Sequence, residues 1–223
     1  MKHIPNTWSI NQTKLKTLLS KEADFDEGIS LLLDMHSLLH EGKVSGISET
    51  FYDNLWEGLK AETCKVISNK ETSIIWDIWH ITRIEDIVTN TLIGNTPEIL
   101  SDALLKKMHI PIRDTGNAMN YDEIAQLNNS INISALNEYR LKTGIQTQKI
   151  IRKLTFADMK RKVTSAQLAQ IKESGGVLEN EKSAWLLDFW GKKNVLGLIM
   201  MPITRHQTVH LNDCFSIKEK YNK

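Results

Sequence analysis

Apolar residues recur at three- and four-residue intervals along most of the chain, and two-residue alternation is nowhere sustained. The spacing predicts helices joined by polar links, with minimal β structure. Residues 22–42 carry Phe25, Ile29, Leu32, Leu33, Leu38 and Leu39 at helical intervals and stop at a glycine. After a link at 44–46, Ser48 opens a second stretch through Leu55, Trp56 and Leu59, with Val66 as its outer limit. The pattern breaks at Ser68-Asn69. Residues 72–92 are the strongest helix of the chain, dense in Ile and Trp and ending at Gly94. A short helix is expected at 99–108, a loop at 110–119 and one or two turns at 121–127. A long helix follows at 131–154. Shorter ones are expected at 156–162 and 165–172, then a turn at Gly175-Gly176 and a Trp-rich piece at 183–190 that ends at Gly191. The last stretch, about 194–220, contains Pro202, which predicts a kink or a restart. Four long helices with side elaborations imply an all-α four-helix bundle, read as one domain over 1–223 with its core at about 20–220.

Composition supports this reading. The 223 residues include 11 Gly and 4 Pro, together about 7% against an average near 12%, so turns are few. The chain is 41% hydrophobic and 25% charged, ordinary for a folded domain, and its net charge of +1 provides no long-range field towards nucleic acid or an anionic membrane. Residues 1–16 are polar and lack the apolar core of a signal peptide. The longest apolar run, 195–203, is short of the roughly 20 residues that cross a bilayer. Cys64 and Cys214 fit no disulfide or CxxC framework and suit reduced, inert thiols in the cytoplasm.

The candidate chemistry lies in the histidines. His36/His40 and His206/His210 stand four apart within predicted helices, so each pair shares a face and can aim at one ion. The later pair is flanked by Leu198, Ile199, Ile203, Val209 and Leu211, which place its helix in the bundle. A metal needs a third ligand, and His80 is available. On a helical wheel Ile87, Trp76, Ile84 and Val88 fall at roughly −20°, −40°, +40° and +80° from His80, so it sits in an apolar stripe. A core histidine with one hydrogen bond would occupy the same position. His36 and His40 either line the same cavity or decorate a surface; His3 and His109 receive no role. The zinc-protease motif HExxH is absent, because Gln207 stands where the general base would be.

Trp79-His80-Ile81 with Arg83 and Glu85-Asp86, followed late in the chain by Arg205-His206-Gln207-Thr208-Val209-His210-Leu211, resembles the DinB-like (YfiT-like) metal-dependent helical-bundle family, over about 30–218. The resemblance implies a four-helix bundle of DinB-like type, here with extra short helices and loops, holding one divalent ion on His80, His206 and His210. Zinc or nickel is the expected ion, although neutral imidazoles suit zinc, nickel, copper and iron alike. It also implies a metal-dependent enzyme acting on a small-molecule substrate: a transferase using a low-molecular-weight thiol such as bacillithiol or mycothiol, or a related hydrolase. The alternative is a non-catalytic metal- or ligand-binding bundle of the stress-response type. A homodimer is compatible with it; nucleic acid and membrane are not expected partners. The pieces at about 95–130 and 155–190 depart from shorter members. By proximity in sequence, Arg83 or Arg205 would hold an anionic substrate, and Asp77, Asp86 or Asp213 would orient a ligand imidazole. Trp76, Trp79, Trp185 and Trp190 would either wall a pocket or fill the core.

Overall fold

A computed structural model describes Ile4, Pro5 and residues 7–223; His3 lies outside the described residues. The chain is all-α, with no strand among those residues. Its helices are α1 (Thr7–Leu19), α2 (Phe25–Leu39), α3 (Phe51–Trp56), α4 (Ala61–Cys64), α5 (Ile74–Asp86), α6 (Asp102–Met108), α7 (Tyr121–Ser130), α8 (Ile133–Ile151), α9 (Ser165–Glu173), α10 (Glu181–Gly191), α11 (Val195–Leu198) and α12 (His206–Tyr221). Two π-helical segments interrupt this series. Ile87–Gly94 prolongs α5, and Ile199–Arg205 joins α11 to α12.

Local chemistry sets the boundaries. The Ser73 hydroxyl accepts the Trp76 amide, so α5 starts two residues later than its apolar pattern alone suggests. Asn132 caps α8 in the same way. The stretch expected over 48–66 divides into α3 and α4 because Gly58, at φ +62, turns the chain between them. Pro202 falls inside the second π segment, where the wider turn absorbs the missing amide donor: the Thr204 hydroxyl donates to Ile199 O. The sequence pattern did not reveal α1, because only Trp8, Leu15, Leu18 and Leu19 of its 13 residues are buried.

Helix α5 is the axis of the molecule. It packs against α12, α8, α7 and α4, while α2 contacts α1, α3 and α8. Every residue of α5 is buried. A helix buried all round is normally apolar throughout, yet this one carries Asp77, His80, Thr82, Arg83, Glu85 and Asp86. Burying such groups is costly unless each finds a partner. Their partners define the internal architecture of the protein.

Candidate metal centre

Midway along α5, His80 meets His206 and His210 from α12. The three ring centroids are 5.0, 4.7 and 4.6 Å apart, and the nearest nitrogens, Nε2 of His80 and Nε2 of His206, are 3.1 Å apart. One donor atom from each residue lies within 4.8 Å of the other two. The convergence depends on register: His206 and His210 are one turn apart on α12, and both face the same turn of α5.

The outward nitrogens fix the tautomers. His80 Nδ1–H donates to Thr115 O at 2.7 Å, and His210 Nδ1–H donates to Asp77 Oδ1 at 2.7 Å. A proton held on Nδ1 leaves Nε2 as a bare lone pair directed at the common point. Burial, reinforced by the other two imidazoles, pushes His80 well below its usual pKa, and burial with His210 pushes His206 down to about 3. Both rings are therefore neutral near neutral pH, the state a metal ligand requires.

The donor set fits a divalent cation. Two lone pairs 3.1 Å apart repel unless a proton or a cation lies between them. Two nitrogens about 2.0–2.1 Å from a zinc-sized ion are about 3.3 Å apart at the tetrahedral angle, close to the spacing seen here. The buried His206 Nδ1 has no hydrogen-bond partner, so a proton on His206 is better placed on Nε2 until a cation takes that position.

The surroundings hold this geometry. Trp76 stacks on His80, with centroids 4.6 Å apart and planes 9° from parallel. Three consecutive loop carbonyls accept from one face of α5: Asp114 from Trp79 Nε1, Thr115 from His80 and Gly116 from Trp76 Nε1. Gly116 is required at its position, since its φ is +80 and a Cβ would lie 3.0 Å from Trp76 Nε1. Asp77 also accepts from Cys214, whose Sγ is 3.8 Å from Oδ2. Burial and the nearby Asp77 push the Cys214 thiol well above its usual pKa, making it a poor nucleophile and a poor ligand.

His36 and His40 lie elsewhere, on Glu85. Their Nε2–H groups donate to Glu85 Oε1 and Oε2 at 2.8 and 3.0 Å, their rings stack at 4.3 Å, and all three side chains are fully buried. These donor atoms also lie within 4.8 Å of one another and could hold a cation, but here each imidazole already has a carboxylate oxygen of its own. Gln207 completes the group. Its Nε2 donates to Glu85 Oε2 and Ile81 O, and its Oε1 accepts from Arg140. A carboxylate at 207 would face that of Glu85, so the missing protease base has a structural reason.

Of the expected orienting carboxylates, only Asp77 meets a ligand imidazole. Asp213 pairs with Lys70 at 2.5 Å. Asp86 accepts from Tyr139 and from the amides of Ile99 and Leu100. Arg83 is not free to hold a substrate: it donates to Glu98 and to Arg113 O, clamping two loops. Arg205 is exposed. Among the four tryptophans, Trp76 touches the site, Trp79 and Trp190 are core, and Trp185 is half exposed. His109, at φ +61, ends α6 in the left-handed conformation.

A family model described as the DinB superfamily matches residues 50–212. The chain belongs to the DinB superfamily. The match contains all three converging histidines, together with Asp77 and Gln207. It excludes α1, α2 and the pair His36/His40. No curated protein matches this DinB chain at a significant level. No helix among its described residues is long and apolar enough to cross a membrane.

Proposed function

We propose that this DinB-superfamily protein holds one divalent cation, zinc or nickel, on His80, His206 and His210, and that the centre serves a small-molecule reaction. The reading rests on one observation: three imidazoles from two helices meet, two of them with Nδ1 protons fixed by Thr115 O and Asp77. Three protein ligands leave a position open, the pattern of a catalytic rather than a structural site. A divalent ion on neutral ligands supplies Lewis acidity, lowering the pKa of a water or thiol at its open position.

The protein's own residues hold and orient. Asp77 keeps the His210 ring in one tautomer and places a negative charge behind it. Trp76 covers one face of His80 and keeps water from it. His210, with 16% of its side chain exposed, marks the side open to a substrate. Arg205, exposed one residue before His206, is the basic group nearest in sequence for an anionic substrate. The proposed substrates are a low-molecular-weight thiol and an electrophile, reacting in the cytoplasm.

The test is turnover. Metal-loaded protein is incubated with bacillithiol or mycothiol and 1-chloro-2,4-dinitrobenzene, and thioether formation is followed against His206→Ala. Thiol-dependent turnover that disappears in the variant supports the enzyme. Saturable thiol binding by loaded protein without product would favour a binding-only bundle.

A further inference from the structure

A cavity of about 240 Å³ lies beside the loop that carries the carbonyl for His80. Its floor is apolar: Ile110 and Leu127 are buried, and Ile112 and Met119 half-buried. Leu178, 40% exposed, forms an apolar lip from a separate segment, which is tied to this loop by the Thr115 amide donating to Gly176 O. About 150 Å³ of apolar cavity is enough to hold benzene, so this one accommodates a single ring.

Its charge is one-sided. Asp114 and Glu123 line the cavity, and no basic residue does. Each uses one oxygen locally: Asp114 Oδ1 accepts the Gly116 amide and Glu123 Oε2 accepts the Asn120 amide. Neither carboxylate is in an ion pair among the described residues, which leaves Asp114 Oδ2 and Glu123 Oε1 as acceptors at an apolar pocket. Burial raises the Asp114 pKa, with the Gly116 amide and the charge of Arg83 acting against it and the neighbouring Glu123 carboxylate with it. The nearest guanidinium on α5, Arg83, is committed to Glu98 and Arg113 O.

We propose that this cavity is a second ligand site, taking a small apolar molecule that carries one amine: its ring on the Ile112–Met119–Leu127 floor, its ammonium at Glu123 and Asp114. The site is separate from the histidine centre and does not depend on a metal there. Glu123 is exposed, so the ionic contribution is modest and sensitive to salt.

Benzylamine, benzyl alcohol and benzoate, which share a ring and differ in charge, are titrated into the full chain. Binding is read from methyl NMR shifts and calorimetry at low and high salt. Benzylamine should bind at one per chain, about three- to five-fold tighter than benzyl alcohol, with the preference shrinking in salt and benzoate weakest. Shifts should centre on the methyls of Ile110, Ile112, Met119, Leu127 and Leu178. Glu123→Gln, which can still cap Asn120 as a glutamine, should abolish the preference for the amine and leave alcohol binding intact. No saturable binding of any of the three compounds, an alcohol that binds as tightly as the amine, or shifts centred elsewhere would overturn the proposal.

Discussion

What one nitrogen of an imidazole donates to decides what the other can bind. At His80 the partner is a backbone carbonyl, and at His210 it is the carboxylate of Asp77. The two differ in what a mutation can remove. Asp77→Ala leaves the His210 Nδ1–H without an acceptor, and metal affinity should fall about 10- to 100-fold, measured by competition with a chelating dye. An unchanged affinity would mean that Asp77 has no part in the site. Glu85 is a different case: a fully buried carboxylate linked to the buried guanidinium of Arg140 through the Gln207 amide. Arg140→Met removes that charge from a closed interior and should cost about 3 kcal/mol in urea unfolding. Adding Glu85→Gln should recover part of the loss, since the pair then disappears together. A strictly additive double variant would show that the two charges are not coupled.

Among elements, α12 has two sides with separate duties. His206 and His210 face His80 and Asp77 of α5, while Gln207 fastens the same helix to Ile81 O and Glu85. The π segment before α12 sets where this register begins, and it is held from outside. Gln12 of α1 donates to Met200 O and to the Thr204 hydroxyl, both at 2.7 Å. Gln12→Leu removes both donors and should cost about 1–2 kcal/mol, with a several-fold loss of metal affinity by the same dye competition. A loss of stability with full affinity would separate the π turn from the site. Gly144 sets another close approach. A Cβ there would come within 2.6 Å of His40 Nδ1, so α8 passes the buried histidines only as glycine.

This also explains what could be read from the sequence. Helical periodicity placed His206 and His210 on one face and His80 in an apolar stripe, which a core histidine would fit equally; the resemblance to the DinB-like family is what singled out the three together. Periodicity could not show which element faces each remaining polar residue of α5. Asp86 and Arg83 turn to loops at 95–101 and 110–115, segments without a periodic signal, while Glu85 meets α2 across the bundle. Helix α1 left too sparse a stripe to be seen, and its anchoring of the π turn is a tertiary contact across 188 residues of sequence.

At the scale of the whole molecule, the buried histidines link stability to pH. Burial holds His40 and His206 down to about 3 and His80 well below 6.5. In the unfolded chain these groups titrate near 6.5. Below that value the unfolded chain takes up protons that the fold refuses, so stability is full above pH 6.5 and falls as pH drops towards 3. Each group contributes on the order of 1.4 kcal/mol per pH unit inside that window. Glu85, held well below its ordinary value by His40 and His36 against the cost of burial, adds a loss of the same sign below about 4.5. Asp77 and Asp86, raised by burial, act in the opposite sense and moderate the slope. The urea midpoint of metal-free protein should therefore be lower at pH 5.0 than at pH 7.5. An equal or higher midpoint at pH 5.0 would contradict this linkage.

The most direct test of the histidine centre is the metal content of the purified, metal-loaded chain by elemental analysis. It is compared across wild type, His80→Ala, His206→Ala, His210→Ala and, as a control, His36→Gln, with folding checked by circular dichroism. One ion per chain in wild type and in the control, lost from each of the three folded alanine variants, is the predicted result. A wild-type chain that takes up no metal under any loading condition, or folded alanine variants that keep it, would contradict the account.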